Sequence, residues 1–147
     1  MAAARIDPYA NFNFLVQIDG VTKAGFQEVS GLSIDVSVME YRDGTDIPLS
    51  VRKFPGLVRY SPIVLKRGLT QDASLWNWFQ TVLNGNVQRA DGSIVLLDPA
   101  RNSVLRWNFV RGWPSKWEGP HLDGKTNEVA IETLVIEHEG ITLVVGQ

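Results

Sequence analysis

Residues 25–41 read GFQEVSGLSIDVSVMEY, and the reading of this stretch decides the fold. Its glutamates, serines and aspartate are common raw material for catalysis. Yet Ile34, Val36 and Val38 alternate with Ser33, Asp35 and Ser37, the period-two pattern of a strand whose successive side chains face opposite ways. Gly31 breaks the stretch into two strands. The question is whether the polar residues form a site or only a wall.

The surroundings favour a wall. Residues 11–20, NFNFLVQIDG, put Phe12, Phe14, Val16 and Ile18 on one face, and Asn13, Leu15, Gln17 and Asp19 on the other, before Gly20 ends the run. Residues 42–57, RDGTDIPLSVRKFPGL, combine glycines, prolines and charges. They read as a long loop, or as a hairpin reaching out of the core, because proline removes ladder donors. Residues 58–68 return to strand, with Pro62 marking an edge or bulge. One helix follows in DASLWNWFQTVLNGN (72–86): Asp72 caps it, Leu75, Trp76, Trp78, Phe79, Val82 and Leu83 recur at helical spacing, and Gly85 supplies the left-handed C′ residue. SIVLLD (93–98) is short and apolar enough for a fully buried strand. Further strands alternate Leu105, Trp107 and Phe109, then Val129, Ile131, Thr133 and Val135, and ITLVV (141–145) closes the chain. The expected class is α+β, mostly antiparallel β: a barrel or sandwich of about eight strands with one flanking helix. A single domain, 1–147, is expected.

Composition narrows the function. Hydrophobic residues make up 44% and charged residues 20% of 147, as in globular domains. No apolar run exceeds four residues, so no bilayer-spanning segment is expected, and MAAARIDPY lacks the apolar stretch of a secretory signal. Zero cysteines exclude disulfides, thiolate chemistry and cysteine-ligated zinc. A net charge of −2 argues against nucleic-acid recognition. The charge is unevenly spread: Arg52, Lys53, Arg59, Lys66 and Arg67 face no acid between Asp46 and Asp72, while Glu128, Glu132, Glu137 and Glu139 lie in a final stretch without Lys or Arg. Complementary segments of this kind suit a head-to-tail contact between copies, which closes into a ring or continues as a filament.

Catalytic parts are missing. In Glu137–His138–Glu139, neighbouring strand residues point apart, so the triplet reads as a solvated strand end and not a metal site. His121 in EGPHLDGK has no nucleophile pattern beside it and reads as a loop histidine, the first residue to change were the chain a hydrolase. DGTD (43–46) lacks the spaced acids of a calcium loop, and no GxGxxG, P-loop or GxSxG occurs. No catalytic residue, cofactor or metal is expected. Among the five tryptophans, Trp76 and Trp107 read as core, whereas Trp113 and Trp117 leave open a carbohydrate-binding β-sandwich.

Five segments in order, DPYANFNFLVQIDGVTKAGFQEVSGL (7–32), VRKFPGLVRYSPIVLKRG (51–68), WNWFQTV (76–82), GWPSKWEGPHLD (112–123) and VAIETLVIEHEGI (129–141), resemble the tail-tube proteins of contractile phages and phage-derived contractile injection systems. The haemolysin-coregulated tube protein of type VI secretion is a more distant relative by fold. The resemblance implies hexameric rings stacked into a hollow tube, with strands of neighbouring subunits joining around the lumen. It further implies an extended Arg42–Leu57 loop reaching a neighbour. A contracting sheath, a baseplate with spike, tube-terminating proteins and cargo effectors are the implied partners, within a particle assembled in the cytoplasm. Arg42, Asp43, Asp46, Arg52, Lys53, Lys66, Arg67, Glu128, Glu137 and Glu139 are the expected assembly residues. Asn13, Gln17, Asp35, Ser37 and Glu132 are candidates for a wet lumen or outer surface. On this reading Glu28, Ser30, Ser33 and Asp35 are wall.

Overall fold

The computed structural model describes residues 13–45, 50–125 and 127–146. In chain order these form β1 (Phe14–Ile18), β2 (Thr22–Ala24), β3 (Glu28–Ser30), β4 (Ile34–Tyr41), β5 (Arg52–Tyr60), β6 (Ile63–Gly68), α1 (Ser74–Leu83), β7 (Ala90–Leu97), β8 (Ser103–Glu118), β9 (Ile131–Glu137) and β10 (Gly140–Val145). The α+β class is as expected, with ten strands among the described residues instead of about eight. Phe12 and Asp46 lie outside the described residues.

Eight strands share one antiparallel sheet in the order β2-β1-β7-β8-β9-β6-β3, with β10 also on β8. The path begins at β2 and ends at β3 without joining them, so the sheet does not close into a barrel. The sixteen-residue β8 is its spine. Over Ser103–Gly112 it pairs with β7, over Leu105–Val110 also with β10, and over Trp113–Glu118 with β9. At the changeover Arg111 has φ 53° and its N–H donates to Asp91 Oδ1 at 2.9 Å; the register slips again between Pro114 and Lys116. Bulges of this kind bend a strand and sharpen its twist, which folds the two parts of the sheet over a common core.

That core takes Val16 and Ile18 from β1, Ile94 from β7, Phe109 from β8, Ile63 and Leu65 from β6, Leu134 and Ile136 from β9, and Leu75 and Trp78 from α1. The first strand and the 93–98 run bury the faces their patterns specify. The helix ends as predicted: Gly85 has φ 77°, its N–H bonds to Val82 O, and that of Asn86 to Thr81 O. Those paired bonds satisfy two carbonyls that the helix end would otherwise orphan. At the other end the N-cap is Ala73, not Asp72, and no side chain caps it; Asp72 lies one residue before the N-cap and its Oδ1 accepts the Ser74 N–H at 3.0 Å.

The phase of β9 corrects the sequence reading. Glu132, Leu134 and Ile136 point inward, and Ile131, Thr133 and Val135 are only half buried. Alternation fixes that two faces differ, but here the apolar count favoured the wrong one, because the inward phase contains a glutamate that Arg67 neutralises.

Candidate assembly surface

The region from 42 to 57 is not a loop throughout. β5 begins at Arg52 and runs through Pro55, pairing with β4 from Ile34↔Tyr60 to Tyr41↔Arg52. The hairpin reaching out of the core is therefore the correct alternative of the two. It forms a separate two-stranded sheet, and every residue of β4 is exposed. A proline is tolerated in β5 because each strand of such an arm has an open edge.

The register slips at Ser37, which faces both Gly56 and Leu57, and the Ser37 hydroxyl donates to Leu57 O at 3.0 Å. Counting alternation from both ends, one face carries Ile34, Val36, Val38 and Val58, closed toward the tip by Glu40 opposite Lys53. The opposite face carries Asp35 opposite Arg59 near the root, then Met39, Phe54 and Tyr41 farther out. All of these apolar side chains are exposed, from 47% at Phe54 to 63% at Val38, and Leu57 at the bulge reaches 75%. Neither face has a partner sheet within the described chain. A lone two-stranded hairpin is at best marginally stable in water, so an arm like this awaits another surface.

The arm is rooted firmly. Gly31 has φ 91°, and a Cβ there would stand 2.0 Å from Pro62 O. Only glycine lets the two chain segments pass so close. The Ser61 N–H donates to Ser33 O at 3.1 Å, clasping the two strands where they leave the body. At the tip, Asp43 Oδ1 accepts the Thr45 N–H and hydroxyl, both at 3.0 Å. The backbone bond, then the hydroxyl, hold its carboxyl below the usual carboxylate range.

The expected assembly residues separate into two groups. Arg42, Arg52, Lys53 and Glu128 are exposed, Asp43 and Glu137 are half buried, and Glu28, Ser30, Ser33 and Asp35 are surface residues. Glu139 is exposed and paired with Arg111, and Lys66 lies 3.4 Å from Glu28. Arg67 and Glu132 depart from expectation. They face one another across β6 and β9, with side chains 7% and 3% exposed, so part of the basic–acidic match read from the sequence closes inside one chain. Arg67 Nε donates to Glu132 Oε1, its Nη1 lies 3.2 Å from Asp72 Oδ2, and its guanidinium sits over the Phe26 ring. Glu132 is thus neither lumen nor outer surface.

The same network disposes of the tryptophan platform. Trp117 Nε1 donates to Glu132 Oε2 at 3.1 Å, and its ring meets Trp76 edge-on with centroids 4.8 Å apart. Both Trp117 and Trp113 lie on β8, not in a loop, and Trp113 stands opposite Glu137. Trp76 belongs to this stack, and the helix places Trp78 in the core instead; Trp107 packs against the core. His138, read as solvated, is part-buried between two carbonyls. No group of three or more Asp, Glu or His among the described residues is placed to hold a metal. No helix among them is long and apolar enough to cross a membrane.

Residues 10–142 match the family of the T4-like virus tail tube protein gp19. The chain belongs to the tail-tube family. A chain of the extracellular contractile injection system PVC, in its sheath–tube complex in the extended state, is similar at 26% identity and TM-score 0.85, covering 94% of this chain and 92% of that one. A chain of the anti-feeding prophage baseplate reaches 26% and 0.86, over 97% and 99%. Hcp1 from Flavobacterium johnsoniae, at 18% identity and TM-score 0.56 over 92% and 97%, shares the fold. No curated protein matches. This tail-tube protein is a structural subunit of the inner tube of a contractile injection system or phage tail, and nothing supports a carbohydrate-binding role.

Proposed function

We propose that this tail-tube protein, acting as one domain, forms hexameric rings that stack into a hollow conduit, and that its β4–β5 arm is the element joining one copy to the next. The observation that carries the reading is the arm itself, with eight large apolar side chains exposed on its two strands and no sheet or helix among the described residues beneath them. Burying the half of each that remains in water yields about 1 kcal/mol apiece, roughly 8 kcal/mol in all. Association costs on the order of 4–15 kcal/mol, so one contact is marginal and a ring of repeated contacts is not. Assembly is then steeply concentration-dependent.

Charge sets register on this reading. Arg52, Lys53 and Lys66 meet Glu128, Glu137 and Glu139 of a neighbouring copy, with Arg42, Asp43 and Asp46 in the same interface; Arg67 does not take part. The rings build in the cytoplasm inside a sheath, between a baseplate with spike and a terminating cap, and cargo passes through the lumen. The subunit performs no chemistry. Matches to sheath–tube, baseplate and cap structures support this setting.

Negative-stain microscopy and sedimentation test the proposal. Wild type gives rings or rods above a threshold concentration. Val38→Glu with Met39→Glu, which places a charge on each face of the arm, keeps the far-ultraviolet spectrum and abolishes them. A variant that still forms rings at the wild-type threshold refutes the role of the arm.

A further inference from the structure

β2 and β3, at the two ends of the sheet path, have three residues each and offer little edge. Among the described residues, the longer edges that no strand occupies belong to β4, β5, β10 and the half of β8 beyond Gly112. Pro55 in β5 and Pro114 in β8 each remove a backbone donor. That leaves β4 and β10, two proline-free strands that each present a row of N–H and C=O groups to a further strand.

β10 also carries an uncovered apolar face. Leu143 stands opposite Trp107 and Val145 opposite Leu105, on the side of the sheet that faces the core, yet they are 53% and 70% exposed. The two layers part at this end. Trp107, with Phe14 and Leu96, forms one wall of a cleft of about 620 Å³, and Val29 and Leu32 belong to the other. Leu143 and Val145 carry the first wall on past the cleft, where nothing faces it. The arm has the matching surface: Val36 and Val38 are apolar at strand spacing and exposed on one face. Within one chain the arm is a sheet apart from β10, fixed at its root by the Gly31–Pro62 approach and the Ser61–Ser33 bond.

We propose that β10 is the seat of the arm: β4 of one copy adds antiparallel to the free edge of β10 of the next, with Val38 opposite Leu143 and Val36 opposite Val145. Strand addition supplies backbone hydrogen bonds, and period two sets both valines on the face that Leu143 and Val145 leave in water. Charge selects the direction. In this register the Glu40–Lys53 and Tyr41–Arg52 end of the arm lies at the start of β10, just after Glu137 and Glu139; the reverse direction carries Arg52 and Lys53 away from both acids. The inference rests on the reading of the arm as the joint between copies, and adds the surface that receives it. Giver and receiver are different surfaces, so every copy can do both and the contact can repeat around a ring.

The chain has no cysteine, so introduced pairs report without background. The full-length chain carrying Val38→Cys and Leu143→Cys, treated with a short bismaleimide above the assembly threshold, should give a ladder of covalent oligomers on a denaturing gel. Val38→Cys with Leu122→Cys, exposed in a loop away from the seat, should give none. Leu143→Glu should raise the assembly threshold about tenfold or more. Hydrogen exchange on wild type needs no variant: amides of 34–41 and 140–145 should slow together on assembly. Rods that form without a 38–143 ladder, or that protect β4 and leave β10 unchanged, overturn the seat and leave the tube reading standing. Bridging confined to single chains between Tyr9→Cys and Leu143→Cys, with no 38–143 ladder, gives the seat to the chain's own first residues and also overturns it. Wild type that never assembles refutes the tube reading, and the seat with it.

Discussion

Arg67 and Glu132 permit a quantitative test of where the charges of this chain act. Replacing Glu132 by leucine leaves a guanidinium that is 7% exposed, with Asp72 as its remaining partner, and the Asp72 side chain is itself 50% exposed. Breaking a buried pair from one side costs about 3–5 kcal/mol, whereas a half-exposed pair returns less than about 1 kcal/mol. Trp117 Nε1 also loses its acceptor. Glu132→Leu should therefore lower stability by ~4 kcal/mol, a fall in melting temperature on the order of 10 °C. Arg67→Met should cost a similar amount at neutral pH and less in acid, because the stranded carboxyl can take up a proton while an arginine cannot give one up. Combining the two removes both desolvation costs and brings stability to within ~1 kcal/mol of wild type, a coupling of at least ~3 kcal/mol. Urea unfolding followed by tryptophan fluorescence on the dispersed chain measures all four corners of the cycle. Additive losses would show that water reaches the pair. A double variant that folds stably yet no longer assembles would show that Arg67 acts between subunits, as the charge pattern alone implies.

Two further outcomes follow from local geometry. Gly31→Ala must accommodate a Cβ 2.0 Å from the Pro62 carbonyl and a residue held at φ 91°, so it should cost ~2 kcal/mol or more by thermal melting and displace the arm's root; an unchanged melting curve would contradict the close approach. Asp72 has its carboxyl held below the usual range chiefly by the Ser74 N–H, with Arg67 adding to the effect. A depressed carboxyl stabilises the fold above its unfolded pKa and loses that contribution as pH falls through the folded one. Asp72→Asn should then be slightly less stable than wild type at neutral pH, with the gap closing below about pH 4; a gap that widens in acid would reverse the assignment.

Much of the fold was legible because its strands obey simple alternation. β1, with Val16 and Ile18 inward, and the apolar run of β7 needed nothing beyond period two and side-chain volume. The helix was legible from its apolar stripe and Gly85, although its N-cap is Ala73 where Asp72 was expected, and Leu83, counted on that stripe, is 60% exposed. Readings failed where the deciding partner lay far along the chain. Arg67 and Glu132 are 65 residues apart, and nothing local marks either as buried. Likewise His138 meets a carbonyl 77 residues away, so a histidine between two glutamates read as solvated. The arm was legible as an excursion but not as strand to Arg52, since prolines and charges argue against a ladder unless the strand is exposed on both sides. That exposure is itself the signal: Ile34, Val36 and Val38 alternate as if one face were buried, and within one chain neither is.

These departures share a cause. An isolated domain hides its hydrophobes and hydrates its charges, yet this chain buries Arg67 with Glu132 and leaves Val38, Met39 and Leu57 in water. The two inversions are useful only together. A rigid body, stapled across β6, β9, β8 and the start of α1 by one hydrogen-bonded network, gives the arm a fixed base. The arm, too weak to hold its shape alone, gains stability from whatever covers it. Ordering of the arm and docking are then one event, so the cost of fixing its backbone falls on assembly, not on folding. On the proposed reading, no single contact suffices to hold two subunits together, and a finished tube would resist dissociation because each subunit would have to uncover its arm and its neighbours' arms at once. The opening stretch belongs to both parts: Glu28 and Ser30 are surface residues of the rigid body, and from Ile34 onward the chain is the exposed arm.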